Sequence, residues 1–331
     1  MLTQTDVLRA ASLTGFHAEP LEKVIRLLDL LDTLRSHPFL KPRIALKGGT
    51  ALNLFASDIP RLSVDIDLNY LGAADRETLI AERPKIEQAV QAVCGRSGMQ
   101  IKRSPTDHAG GKWRLSYTSV FDRSGTLELD MNFMLRTPLW PATACDSRPV
   151  TSFRATQIQV LDVHELAAGK LAALLARSLG RDLFDVRQIL RRPNLDRAKL
   201  RLGFVVYGGM NRKDWRGVVI DDIQADPDEC DRRLLPLLRA DLVPQKEKLR
   251  EWTRQLVEDC RGLLTAVLPF APNELEFLRR LNDSGDIAPE LLTLDEAMQG
   301  IIREHPGLKW KALNVRKHRG LPPTASDPVD L

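Results

Sequence analysis

The sequence predicts an α/β protein: a mixed sheet flanked by helices, followed by a mainly helical C-terminal half. Three observations carry that expectation. Apolar residues recur at helical spacing in the first 40 residues, β-like runs cluster between about residues 43 and 160, and beyond residue 193 only helical and loop signals remain. The length of 331 residues suits one large domain or two ordinary ones, and 43% hydrophobic with 28% charged residues is a globular profile. The expected organisation is N-terminal helices over 1–40, a core over 41–192, a helical region over 193–319 and a disordered tail over 320–331.

Leu21, Val24, Ile25, Leu28, Leu31 and Leu34 define one buried helical stripe. Arg43 to Leu46 is a short β-like run, stopped by Lys47-Gly48-Gly49-Thr50 and followed by a small-residue helix from Ala51 to Ala56. After a turn around Ile59-Pro60-Arg61, a second strand runs from Ser63 to Leu71. Residues 74–97 read as a long helix that Pro84 should kink or break. Three strands should follow, Met99–Arg103, Lys112–Phe121 and Gly125–Leu135, the first two joined by a turn at Asp107–Gly111. Gln157–Val160 is expected as an edge strand. Asp162 and Glu165 have capping-box spacing before an apolar-periodic helix that Gly180 should end. A further helix spans Arg181 to Arg191, before Pro193.

The chemistry concentrates in Ser63-Val64-Asp65-Ile66-Asp67-Leu68. Alternation on a strand puts Ser63, Asp65 and Asp67 on one face, about 7 Å apart along the chain, and the apolar residues on the other. Carboxylates that close repel each other unless a cation lies between them, and a hard ion such as Mg²⁺ prefers oxygen ligands. A polar face on a half-buried strand is the plainer alternative. A second strand, Leu127 to Phe133, alternates in the same way and aligns Glu128, Asp130 and Asn132. If the two strands are neighbours, Asp130 completes a three-carboxylate site, with Glu128 as the substitute. Two ions about 4 Å apart in such a site activate the attacking oxygen and stabilise the leaving one. Gly48-Gly49-Thr50, between a strand and a helix, allows close backbone approach and offers N–H groups to phosphate oxygens.

Lys47-Gly48-Gly49-Thr50-Ala51-Leu52-Asn53-Leu54 followed by Arg61-Leu62-Ser63-Val64-Asp65-Ile66-Asp67-Leu68 resembles the AbiEii/AbiGii toxin family of nucleotidyltransferases, over roughly residues 40–192. The resemblance implies a polymerase-β-like nucleotidyltransferase core and a role as the toxin of a type IV toxin–antitoxin or abortive-infection system. Matching residue by residue, it implies that Gly49, Thr50, Asp65 and Asp67 belong to the first motif and that Lys170, Asp182 and Asp185 are functional. Ser63 stands where some members of the family are phosphorylated. On one helix, Lys170 and Arg177 share a face, which Arg181 would extend. Such a basic stripe would grip a triphosphate; a solvated face paired with Asp182 and Asp185 is the alternative. Taken with the strand alternation that singles out Asp130, the assignment makes Asp65, Asp67 and Asp130 metal ligands, with Asp130 alternatively the base for the acceptor hydroxyl. Gly48, Gly49, Thr50, Ser63, Lys170, Arg181 and Asp182 would contact the nucleotide, and Asp185 would orient Lys170 or contact the nucleotide itself. The cofactor is expected to be Mg²⁺, as two ions, with an NTP as substrate.

Composition excludes several other classes. There is no apolar run long enough for a membrane span and no basic–apolar signal at the start, so a cytoplasmic protein is expected. Cys94, Cys145, Cys230 and Cys260 form no CxxC pair, and the six histidines do not cluster, which argues against a disulfide framework, a zinc site and histidine-based hydrolysis. His108 is a candidate loop residue. With 48 Lys/Arg against 44 Asp/Glu the net charge is only +4, but residues 221–231 carry six acids and no base, and residues 309–319 carry five bases and no acid. The basic segment, which contains Trp310, suits an RNA acceptor such as tRNA, or is simply a solvated last helix. A cognate antitoxin is the expected protein partner. Two other readings stay open: a related enzyme that nucleotidylates a protein or small molecule, and a non-catalytic nucleic-acid-binding module.

Overall fold

The computed structural model describes residues 2–104 and 110–322. His108 and most of the expected Asp107–Gly111 turn, together with the tail beyond residue 322, lie outside the described residues. The chain divides into two compact units. One comprises the stretch up to Asp162 together with Cys230–Leu249, and the other comprises Val163–Glu229 and the chain from Arg250 onward.

In the first unit, α1 (Gln4–Thr14) and α2 (Ala18–Ser36) form where the apolar stripe predicts them. Thr3 caps α1 in a capping box with Asp6, and Gly15 ends it in the left-handed conformation. A seven-stranded mixed sheet follows, in the order β3-β4-β5-β2-β1-β7-β6. Its strands are β1 (Ile44–Lys47), β2 (Asp65–Tyr70), β3 (Gln100–Arg103), β4 (Gly110–Thr118), β5 (Ser124–Asn132), β6 (Thr143–Cys145) and β7 (Ile158–Val160). Ile66, Leu68 and Tyr70 of β2 and Leu127, Leu129 and Met131 of β5 are fully buried. Leu31 and Leu34 of α2 share a small cavity with Ile44, Leu46 and Leu68, so α2 covers the apolar face of the sheet. Each of these side chains contributes on the order of 1.5–3 kcal/mol by leaving water.

Three local expectations are corrected. The helical segment after β1 is a single α-turn, α3 (Gly48–Thr50), that widens into a π-helix over Ala51–Ala56. Helix α4 (Arg76–Arg96) runs unbroken through Pro84. Pro84 and Ile80 both lie on the solvent side, so water can take the carbonyl bond that the proline leaves unmade. The strand expected at the edge, Ile158–Val160, is instead interior. It runs parallel to β1 and antiparallel to β6, and β6 was not visible in the sequence because three residues carry no periodicity.

The segment Cys230–Leu249 returns to this unit after the first part of the helical one. Leu62 donates its N–H to the Leu237 carbonyl, Arg239 N–H to Pro60 and Ala240 N–H to Gly15, which ties the segment across the turn that precedes β2.

The second unit is helical: α5 (Val163–Arg177), α6 (Gly180–Leu190), α7 (Arg197–Gly209), most of α9 (Leu249–Leu264), α10 (Pro272–Ser284), α11 (Glu296–Glu304) and α12 (Pro306–Arg319). A short α8 (Pro227–Arg233) spans the boundary. Gly180 opens α6 rather than ending α5; Ser178, with φ of +49°, takes the left-handed conformation at the break. The contact grouping thus puts α5 and α6, which the sequence assigned to the core, in the helical unit. Phe204 of α7 stacks on Phe270 and packs against Trp215, each with ring centroids 5.7 Å apart. Among the described residues no helix is long and apolar enough to cross a membrane.

Candidate active site

Strands β2 and β5 are direct parallel neighbours, the arrangement on which a shared carboxylate site depended. The register sets Asp65 beside Glu128 and Asp67 beside Asp130. Alternation then gathers these acids on the sheet face opposite the leucine core. Two flanking strands add cations to the same face: Lys47 of β1 is paired in register with Asp67, Lys112 of β4 with Asp130, and Arg114 with Glu128. Spacing within one strand could not reveal Lys47, Lys112 and Arg114 as site residues; the signal lies in the cross-strand register.

The turn after β1 is shaped by its contact with Asp67. Gly48 has φ of +71°, and a Cβ there would fall 2.1 Å from Asp67 Oδ2, so both the backbone conformation and the space require glycine. Gly49 and Thr50 are buried behind it. Thr50 Oγ1 donates to the Asp65 carbonyl at 2.5 Å, and Asn53 Nδ2 donates to the Gly49 carbonyl at 2.9 Å. The first bond ties the glycine turn to the start of β2, and the second braces the turn from within. Ser63 lies just before β2 rather than on it, and is 8% exposed.

The charges on this face differ in how well they are matched. Glu128 accepts from Lys112 Nζ at 2.9 Å and from Arg114 Nη2 at 3.4 Å, and the hydrogen bond from Lys112 holds its carboxyl below the usual range. Asp130 goes the other way. Partial burial, and then the charge of Asp67, push its carboxyl up against the weaker pull of Lys47 and Lys112. Among the described residues no three carboxylate, imidazole or thiol groups are drawn together as a ready-made cation cage. The donors on offer are nevertheless all carboxylate oxygens, and the mutual repulsion of Asp67 and Asp130 is what a hard divalent cation relieves. The donor chemistry therefore fits such an ion.

The helical unit holds the other predicted residues. Lys170 of α5 is 8% exposed, and its Nζ lies 3.0 Å from Asp182 Oδ1 and 2.9 Å from Asp185 Oδ2, both on α6. Arg177 reaches Asp182 with Nε at 2.6 Å and Nη2 at 3.0 Å. Burial pushes the Asp182 carboxyl up, but Lys170 and Arg177 more than offset it and hold it low. Nearby, Tyr207 donates its hydroxyl to Glu165 at 2.8 Å, and burial beside that carboxylate raises the phenol well above its usual range. Arg181 is half-buried and has no ion-pair partner among the described residues.

A mixed sheet that displays paired aspartates beside a glycine turn, with flanking helices, defines a nucleotidyltransferase core. A family model described as the nucleotidyl transferase AbiEii toxin of type IV toxin–antitoxin systems matches residues 29–327, and the chain belongs to that family. Among solved structures it is similar to MenT4, a nucleotidyltransferase toxin from Mycobacterium tuberculosis, with a TM-score of 0.58 and 18% identity over 93% of this chain and 99% of that one. At that identity the likeness concerns the fold. A search of the curated proteins finds no match.

Proposed function

We propose that this nucleotidyltransferase toxin transfers a nucleoside monophosphate from an NTP to an RNA acceptor of the tRNA class, using Mg²⁺ held by Asp65, Asp67 and Asp130, and that a cognate antitoxin restrains it. The observation that carries the reading is the Asp67–Asp130 register, with a carboxylate repulsion that Lys47 and Lys112 offset only in part. The bound ions would screen the triphosphate and stabilise the pyrophosphate that leaves.

The chain's own groups supply the rest. Backbone N–H groups of Gly48, Gly49 and Thr50 hold phosphate oxygens close to Asp67. The acceptor hydroxyl oxygen forms a bond to the α-phosphorus as the bond to the β-phosphate oxygen breaks and pyrophosphate departs. The hydroxyl proton would pass to Asp130 if that carboxylate serves as the base rather than as an ion ligand. Lys47 and Lys112 offset charge on either side of the acids. In the helical unit Asp182 and Asp185 hold Lys170 in place, which supports the implied role of Lys170 and Asp185 in nucleotide use, with Asp182 and Arg181 beside them.

The test incubates the purified protein with total tRNA, Mg²⁺ and each α-labelled NTP in turn. The expected result is label on tRNA that disappears with Asp67→Asn. Label confined to protein bands would replace the RNA acceptor with a protein one. No label on any species would overturn the proposed reaction.

A further inference from the structure

Helix α12 carries the basic segment that contains Trp310, and it borders a pocket of about 300 Å³ in the helical unit. Its walls come from the three residues that follow α7, from α10 and from one side of α12. We infer that this pocket binds one unpaired nucleotide of the RNA acceptor, its base against the Trp310 indole and its phosphates on Arg212 and Lys311. The inference rests on the proposed RNA acceptor and assigns it a place.

Size, charge and hydrogen-bonding groups agree. The volume is at the small end for a ligand pocket and suits a single nucleotide rather than a duplex. Trp310 is half-buried, so part of its ring is available to a base. Lys311 donates to the Asn211 carbonyl at 2.9 Å, and burial lowers the pKa of its ammonium, a cost that an anionic ligand would relieve. Arg212 is exposed and has no acidic partner among the described residues. The acids closest in this region, Asp214 and Asp283, are already engaged by Arg216 at 2.6 and 2.9 Å, and Asp283 also by Arg319 at 3.5 Å. Asp214 also lies near enough to Lys311 to interact with its charge, so the positive charge left for a ligand is chiefly that of Arg212. Asn282 and Asn314 donate their Nδ2 groups to the Leu278 and Trp310 carbonyls, which fixes both amides and leaves their Oδ1 atoms as acceptors for base amino groups. A merely solvated helix end would account for the basic residues, but not for a pocket that joins them to an indole and two fixed amides.

The test measures binding of fluorescein-labelled tRNA by anisotropy without NTP, for the wild-type chain, Trp310→Ala, Trp310→Phe and Arg212→Glu. Nucleotide transfer to the same tRNA is followed in parallel. Trp310→Ala and Arg212→Glu should each weaken binding about tenfold, and Trp310→Phe should recover most of the loss. KM for tRNA should rise by the same factor, while kcat at saturating tRNA and KM for NTP stay at wild-type values. Arg212 lies on the surface, so that variant keeps the test valid if Trp310→Ala fails to fold. Wild-type tRNA affinity in Arg212→Glu, and in Trp310→Ala where that variant folds, with the wild type itself binding and labelling tRNA, would refute the pocket and leave the reaction intact. A wild-type chain that neither binds nor labels tRNA would refute both. Unchanged tRNA binding with loss of antitoxin binding would assign the pocket to a protein instead.

Discussion

The carboxylate face of the sheet and the ion cluster between α5 and α6 each set two aspartates close to a lysine, yet they are built on opposite electrostatic terms. In the cluster, Lys170 and Arg177 surround Asp182, and the carboxyl is held low despite burial. On the sheet, Asp130 faces Asp67 across a parallel register, and its carboxyl is pushed up although Lys47 and Lys112 are near. Compensated charge is a device for holding two helices together. Partly compensated charge, held in place by a glycine turn and two strands, is destabilising unless something binds there. The contrast is the argument for proposing that the chemistry occurs on the sheet face.

The largest effect should come from breaking the carboxylate set on the sheet. Asp67→Asn or Asp65→Asn should lower transfer by roughly a thousandfold while the melting temperature stays at or above wild type, because neither side chain belongs to the core. Initial rates with a labelled NTP and a thermal melt check this. A normal rate in either variant would remove the carboxylate face from the mechanism.

Breaking the compensated set should cost stability first. Lys170→Ala leaves two buried carboxylates facing each other and should destabilise the fold by about 3–5 kcal/mol, measured by urea titration. A variant that keeps full stability but loses NTP affinity would show that Lys170 serves the nucleotide more than the fold. Arg177, whose side chain is 56% exposed, contributes less, and Arg177→Ala should cost about 1 kcal/mol at most once solvent screening is allowed for.

The two aspartates should also respond to acid with opposite signs. Asp182 has a depressed folded pKa, so its contribution is present above the unfolded value near 3.8 and is lost as pH falls through the lower folded value. Asp130 has a raised folded pKa, so the fold loses stability as pH rises from about 3.8 through that value. In the absence of divalent ions at neutral pH, Asp130→Asn should therefore melt slightly higher than wild type, by about 2 °C. Added Mg²⁺ should raise the wild-type melting temperature and leave the variant unmoved. An equal Mg²⁺ shift in both would exclude Asp130 as part of the ion site.

What could be read in one dimension was whatever a short window specifies. The alternation in Asp65–Leu68 and Leu127–Phe133, the leucine stripe of α2 and the strand–glycine–helix run at Lys47–Ala51 each arise from periods of two or 3.6 residues, so local spacing reveals the element and its polar face. Family membership followed from the same local runs. The pairing of β2 with β5 was a condition the sequence could state but not meet, because neighbouring strands are chosen by long-range packing. Register, in turn, decided that Asp130 rather than Glu128 lies beside Asp67, and that Lys112 and Arg114 engage Glu128. Tertiary structure also moved α5 and α6 into the helical unit and brought Cys230–Leu249 back to the sheet, since a boundary is set by where contacts are dense and no spacing rule records that. The ring of Trp310 gained a pocket for the same reason: its walls come from residues about 100 and 28 positions away in the chain, a distance that packing closes and periodicity cannot span.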